Sequence, residues 1–217
     1  GWIVETFTIW RTEDGGATWE QSFSASKQAA KGQPGRSFFV NARSGWVSGT
    51  DGEVYSTEDG GRTWSVQTIA GENTTFVDVF FSNQGTGWLL GYTGGQFGNL
   101  LYRTDDGGKN WRLIQTNIDR TYLTSLYFFD EKEGWASGEA WSNGKESGPG
   151  KAVLMRTTDG GKTWESTFTT GDEPFFDRIQ FLDQRDGWLF ARDRVYRTND
   201  SGKNWQAVLT LSPVKSE

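Results

Sequence analysis

Five copies of one unit, whose starts are spaced by 44, 42, 47 and 53 residues, constrain this chain more than any other feature. Residues 45–64, GWVSGTDGEVYSTEDGGRTW, show the unit most plainly. They run from a Gly-Trp pair through two short alternating segments to an acidic-Gly turn closed by tryptophan. The other copies begin at Gly1, Gly87, Gly134 and Gly187. A period of this size marks a propeller, solenoid or array of like units rather than one irregular core. A further apolar segment precedes each copy except the first: SFFVN (37–41), VFFSN (79–83), LYFFD (126–130) and IQFLD (179–183). Each ends in Asn or Asp four residues ahead of the Gly-Trp glycine. The unit is therefore four short strands, a to d, with a turn signal between each, and no segment carries the apolar spacing of a helix.

The spacing also ranks the strands. Strand a is nearly continuous apolar (Val79-Phe80-Phe81, Leu126-Tyr127-Phe128), as expected of a strand covered on both faces. Strand c alternates in every copy, with Trp10 standing where Tyr55, Tyr102 and Tyr196 stand in others. The predicted fold is all-β: a β-propeller of four-stranded antiparallel blades, with repeats starting near residues 1, 37, 76, 123 and 176, in one domain spanning 1–217. Strand a has no counterpart before Gly1, so the first blade is expected to lack its inner strand. The alternative is that the chain is part of a larger propeller, for example a seven-bladed one. The start at Gly1, inside a repeat and without Met, is what a processed or trimmed chain would show, so a missing signal peptide carries no information.

Composition removes whole classes of chemistry. With no His and no Cys, the chain holds no Ser-His-Asp or Cys-His nucleophile system, no imidazole or thiolate metal site and no disulfide. The net charge of −6 argues against a phosphate-backbone partner, which would call for clustered Lys and Arg. No apolar run approaches the roughly 20 residues of a membrane span. The expected catalytic, cofactor and metal residues are therefore none.

The c-to-d turn reads Thr-x-Asp-x-Gly-x-Thr/Asn-Trp five times, with Asp14, Asp59, Asp106, Asp159 and Asp200 followed by Trp19, Trp64, Trp111, Trp164 and Trp205. Asp in a turn accepts backbone N–H groups one or two residues on, Gly takes a positive φ without steric cost, and the Thr hydroxyl adds a local bond. One acid per identical turn, spread over five units, is predicted to be structural, since such acids do not converge on one ligand. This pattern resembles the Asp-box, or bacterial neuraminidase repeat, of sialidases, sortilin-type receptors and xyloglucan-degrading glycosidases. With Phe-x-Asn/Asp-x-x-x-Gly-Trp-x-x-Gly ahead of the box, the whole unit is most similar to the photosystem II stability and assembly factor family and its non-photosynthetic bacterial relatives. The resemblance implies an extracytoplasmic or lumenal propeller that holds a protein partner without catalysis. Two departures stand out: the family usually carries seven blades, and the Gly ending strand b (Gly49, Gly91, Gly138) is Glu5 in the first copy and Ala191 in the last.

Recurring residues build, so recognition is expected from those that do not recur. The a-to-b and c-to-d turns share one end of each blade, and the b-to-c and d-to-a loops share the other. From Gly-Trp to box Asp the copies span 13, 14, 19, 25 and 13 residues, so the third and fourth b-to-c loops (92–99 and 139–151) are enlarged. Those loops offer Tyr92, Phe97 and Trp141, the one Trp outside the repeat, as anchors for a protein or a stacked sugar. The opening positions of strand a align Arg36, Asp78, Ser125 and Arg178 and are expected to ring a channel mouth at the long-loop end. Arg120, Tyr122, Arg192 and Arg194 lie at the same end, where arginines recognise carboxylates bidentately, although Asp119, Asp177 and Asp193 are adjacent and suited to pairing with them. The leading expectation is a non-catalytic scaffold for a protein partner. The alternative is a glycan-binding module or Asp-box glycosidase. A sialidase would need an Arg-Ile-Pro motif, which is missing, and a hydrolase two carboxylates across a cleft, for which Glu139 and Glu146 are the only loop glutamates near Trp141.

Overall fold

The computed structural model describes residues 1–25, 27, 30–94, 98–140, 150–170, 173 and 175–211. These residues form five antiparallel sheets, each built from strands consecutive in sequence. The first has three strands, β1 (Trp2–Glu5), β2 (Thr8–Arg11) and β3 (Glu20–Ser24). The second runs β4 (Pro34–Phe39), β5 (Gly45–Gly49), β6 (Glu53–Thr57) and β7 (Ser65–Thr68). The third runs β8 (Thr74–Phe81), β9 (Gly87–Thr93), β10 (Asn99–Thr104) and β11 (Arg112–Ile114). The fourth is β12 (Thr121–Phe128), β13 (Gly134–Ala140), β14 (Lys151–Thr157) and β15 (Glu165–Thr170), and the fifth is β16 (Phe176–Phe181), β17 (Gly187–Ala191), β18 (Arg194–Thr198) and β19 (Gln206–Thr210). The expected a-b-c-d meander is thus present four times, and the first blade has three strands as anticipated. By contacts the chain divides into two units, Gly1–Gln96 with Leu100–Ile114, and Phe97–Asn99 with Gln115–Glu217.

Within each unit the core lies between successive sheets rather than inside one. In the first unit, Ile9 and Phe23 pack with Val47 and Tyr55, and Trp46 and Val54 pack with Phe76, Val79 and Leu89. In the second, Trp135 and Leu154 pack with Phe176, Ile179, Phe181 and Leu189. A four-stranded antiparallel sheet has two faces and buries both only against two neighbours, which is why strand b reads GWVSG or GWLLG and is buried at every position in β5.

One aromatic device repeats along this path. The strand-a phenylalanine lies flat on the Gly-Trp indole of the preceding blade, with ring centroids 3.6 Å apart for Trp2 and Phe39 and 3.5 Å for Trp46 and Phe81. The same ring meets the box tryptophan of its own blade edge-on, as in Phe39–Trp64, Phe81–Trp111, Phe128–Trp164 and Phe181–Trp205. It also explains the Gly of Gly-Trp. A Cβ at Gly45, Gly87, Gly134 or Gly187 would stand 2.3–2.6 Å from the ring of Phe39, Phe81, Phe128 or Phe181, closer than carbon atoms approach. The indole then reaches on to the next box: Trp2 Nε1 donates to Gly60 O at 3.0 Å and Trp46 Nε1 to Gly107 O at 3.3 Å. Trp135 sits equally close to Gly202, but its Nε1 finds no acceptor among the described residues.

The Asn or Asp that closes each strand-a segment leaves the strand and makes the turn. Asn41, Asn83, Asp130 and Asp183 each accept two backbone N–H groups through one oxygen, from the residues two and three positions on. This Asx turn fixes the distance from the Phe to the glycine on which it sits.

Candidate binding surface

At the box end the five turns have one wiring. The Thr hydroxyl donates to the Asp carboxylate (Thr57 Oγ1 to Asp59 Oδ1, 2.9 Å) and accepts the N–H of the second Gly (Gly61, 2.8 Å). The carboxylate accepts the backbone N–H and side chain of the Thr or Asn four residues on, as at Thr63 (2.9 and 2.6 Å) and Asn110 (2.9 and 2.7 Å). The bonds to Asp therefore come from three and four residues downstream, not from one or two as expected, because the Thr hydroxyl takes the nearer N–H groups itself. Hydrogen bonds to the ionised form hold Asp106 and Asp200 at about 2, against an ordinary 3.8, with Asn110 and Asn204 as the main donors. Asp14 and Asp59 are lowered in the same way, chiefly by Thr18 and Thr63. At Asp159 burial pushes up, but donors from Thr163, Thr157 and the backbone outweigh it and the net shift is downward. Each box acid spends its acceptors on its own turn, and no group of three acidic residues is arranged for a metal among the described residues.

At the long-loop end the wiring does not recur. Every inner strand carries a bulge there, between Pro34 and Ser37, Phe76 and Asp78, Leu123 and Ser125, and Phe176 and Arg178, and a bulge re-aims the residues beside it. Of the four positions expected at a channel mouth, Arg178 is exposed and Arg36 half-buried, whereas Asp78 and Ser125 are buried. Asp78 turns back to accept the N–H of Val79 at 3.1 Å, so those two positions do not present their side chains as anticipated.

In the second unit Arg120 is exposed at positive φ (52°) just before β12, with Nε 3.5 Å from Asp119. Tyr122 is half-buried opposite Glu139. Arg192 is exposed in the turn from β17 to β18, and Arg194 opens β18 with Nε 3.4 Å from the buried carboxylate of Glu173. Thr124 Oγ1 donates to Phe176 O at 2.6 Å and ties β12 to β16, so Arg120 and Tyr122 stand at the same end of neighbouring sheets as Arg178 and Arg192. In the first unit Tyr92 is half-buried across from Thr75. Phe97 and Trp141, with Glu146, lie outside the described residues.

Two acids are structural: Glu53, which sequence reasoning passed over, and Glu139, which it weighed only as a hydrolase carboxylate. Glu53, buried at the start of β6, accepts Lys31 N, Gly32 N and the Tyr55 hydroxyl at 3.0–3.2 Å, and so holds the preceding d-to-a connection down. Burial, with the Glu53 charge, pushes the Tyr55 hydroxyl well above its ordinary value. Glu139 accepts Gly150 N at 2.9 Å and closes its own loop. The signal available was an acid inside an otherwise apolar strand start, which needs a partner. A cleft of about 990 Å³ in the first unit lies at the box end, between the second and third blades, lined by residues including Arg43, Trp46, Gln67, Asp106 and Lys109. This is the end opposite the long loops.

A profile described as sortilin, neurotensin receptor 3 matches residues 7–140, more than half of the chain. The chain belongs to the Sortilin-Vps10 family. A second profile, the BNR/Asp-box repeat, matches residues 155–166 of this Sortilin-Vps10 chain, its fourth box. No curated protein sequence matches it. Among solved structures it is similar to YCF48 bound to a D1 peptide, with 17% identity, a TM-score of 0.51, and 85% of this chain and 68% of that one covered. YCF48 from Cyanidioschyzon merolae gives 17% identity and a TM-score of 0.55, over 100% of this chain and 82% of that one. The GH74 xyloglucanase from Xanthomonas campestris gives 16% identity and a TM-score of 0.65, over 91% of this chain. The chain spans 34% of that enzyme's length. At these identities the likenesses establish the β-propeller fold, and they include binding proteins and enzymes alike.

Proposed function

We propose that this propeller is a non-catalytic scaffold that holds a polypeptide partner at its long-loop end, recognising carboxylates there through Arg120, Arg178 and Arg192. The observation that carries the reading is the contrast in charge use. The repeated acids are consumed by their own turns, while these three arginines stand exposed on neighbouring sheets of a chain with net charge −6. A guanidinium pairs bidentately with a carboxylate, and Arg178 stands on β16 while Arg120 precedes β12 and Arg192 follows β17. Tyr122 offers apolar area beside them. The solved YCF48 structure with a D1 peptide supports the reading by analogy of fold alone. The family resemblance favours an extracytoplasmic setting, and no helix among the described residues is long and apolar enough to cross a membrane.

A glycan-binding or glycosidase role is the second reading, favoured by the likeness to the GH74 fold. Against it, Glu139 is committed to Gly150. The experiment is a calorimetric titration with peptides ending in a free carboxylate, the same peptides amidated, and xyloglucan oligosaccharides. The free-acid peptides are expected to bind more tightly at low salt, and Arg120→Ala/Arg178→Ala/Arg192→Ala to weaken them about tenfold or more. Equal binding of the amidated forms, or turnover of the oligosaccharide, would reject the proposal.

A further inference from the structure

The residue just before the box Thr is arginine in four of the five copies, at Arg11, Arg103, Arg156 and Arg197, and serine, Ser56, in the second. This position stands across the b–c ladder from the Gly-Trp indole. Trp2 pairs with Arg11, Trp135 with Arg156 and Trp188 with Arg197, whereas Trp46 pairs with Ser56. Where the arginine is present it has one use. Its guanidinium lies over the indole, 5.2 Å from the Trp88 ring centre for Arg103, 5.7 Å from Trp135 for Arg156 and 5.5 Å from Trp188 for Arg197. Arg11 Nε donates to Gly60 O at 2.8 Å, the same carbonyl that accepts Trp2 Nε1. Each guanidinium also meets a carboxylate: Arg11 meets Glu13 and Glu20, Arg103 meets Asp105 at 2.7 Å, Arg156 meets Glu133 at 2.6 Å and Arg197 meets Asp186 at 2.8 Å. Indole face, carbonyl and carboxylate together make a seat for a guanidinium.

The second copy keeps the seat without its own occupant. Glu58 holds the place that Glu13 and Asp105 hold in their boxes, is exposed, and forms no ion pair among the described residues. Gly107 O, the counterpart of Gly60 O, accepts Trp46 Nε1 at 3.3 Å. Ser56, Trp46, Glu58 and Gly107 all line the box-end cleft of about 990 Å³ between the second and third blades, within one unit of the chain. Its walls are tied to each other, since Gln67 Nε2 donates to Lys109 O at 3.1 Å. Arg43 and Lys109 line it too, so a bare cation is disfavoured and a ligand that carries a carboxylate beside its guanidinium is favoured.

We propose that this cleft is a second polypeptide-binding site, which receives an arginine side chain of a partner in the place that Arg11, Arg103, Arg156 and Arg197 fill in their own blades. The guanidinium stacks on Trp46 and donates to Glu58 and Gly107 O, and an acidic residue next to that arginine meets Arg43 and Lys109. The site arises where one copy departs from the repeat. It lies at the end opposite Arg120, Arg178 and Arg192 and does not rest on carboxylate recognition there.

The probe is the dipeptide acetyl-Arg-Asp-amide, titrated into the intact chain while the Trp46 Nε1–H resonance is followed by NMR. The controls replace its arginine by citrulline, which has the shape without the charge, or by lysine, which has the charge without the planar fork. The arginine peptide is expected to shift the resonance saturably, and the citrulline peptide to bind at least about tenfold more weakly, with lysine between the two. Ser56→Arg fills the seat from within, as in the sibling blades, and should abolish the shift. Glu58→Gln, at an exposed position that leaves the fold untouched, should weaken binding about two- to fivefold. Equal binding of either control would overturn the proposal. So would a Trp46 resonance that the arginine peptide does not move, a shift that survives Ser56→Arg, or an affinity that Glu58→Gln leaves unaltered.

Discussion

The two ends of each blade solve opposite problems with the same strands. At the box end the Thr hydroxyl and the Asp carboxylate are matched within a few residues of their own positions, five times over, by each other and by the Thr or Asn that follows. At the long-loop end the partners are distant or absent from the repeat, as with Glu53 and the 31–32 backbone or Arg194 and Glu173. Matching that is local and repeated makes a fastener that tolerates any partner elsewhere. Matching that is singular leaves side chains such as Arg178 and Arg192 at the surface. On the proposed reading stability concentrates at one end and recognition at the other, and substitutions at the two ends should separate stability from binding.

The largest effect is expected where the box end meets the interblade stack. Phe81 is buried, flat on Trp46, edge-on to Trp111 and seated on Gly87. Phe81→Ala should cost about 3–5 kcal/mol, read as a shift in the urea midpoint, since a full ring is lost from a site held open by two indoles. Arg178→Ala at the other end should change stability by less than about 0.5 kcal/mol. If the two substitutions cost the same, the division of labour between the ends is wrong.

The next effect tests the turn itself. Asp159→Ala removes the acceptor for Thr163 N, Thr163 Oγ1, Lys162 N and Thr157 Oγ1, and should cost about 1–2 kcal/mol near neutral pH, discounted for the partial exposure of the carboxylate. The sign of the pH dependence follows from the lowered pKa. A carboxylate whose folded pKa is depressed stabilises fully above its unfolded value near 3.8 and loses that contribution as pH falls through the folded value. The gap between parent and Asp159→Ala should therefore be constant above about pH 5 and close on acidification. A gap that widened in acid would mean that the boxes are not held by ionised aspartates.

This asymmetry also explains what could be read from the residues alone. The blade order was legible because it is stated several times in the sequence, and repetition cancels local accident. The Phe–Gly–Trp stack was visible only as the spacing Phe-x-Asn-x-x-x-Gly-Trp. Its meaning is a contact between blades, and no single unit contains both halves of it. At the long-loop end each position is stated once. Asp78 and Ser125 align with Arg36 and Arg178, yet they are buried, although all four inner strands carry a bulge there. Glu53 and Glu139 further show that a residue need not recur in order to build.

The smallest effect sits at the one box that departs from its siblings. The first four turns place two glycines at positive φ, whereas the fifth, TNDSGKNW, places Ser201 there at φ 64°. A side chain in the left-handed region costs on the order of 1 kcal/mol, and Ser201 N keeps its bond to Arg185 O at 3.1 Å in spite of it. Ser201→Gly removes that strain but gives the unfolded chain more freedom, which offsets part of the gain. The expected net result is stabilisation by about 0.5 kcal/mol, and the reverse change at Gly60, where Ala42 O stands 2.8 Å from the Cβ position, should destabilise by more. Serine tolerated at 201 without gain from glycine would show that the fifth turn has relaxed around its own residue, and that even the fastening end of the repeat is tuned blade by blade.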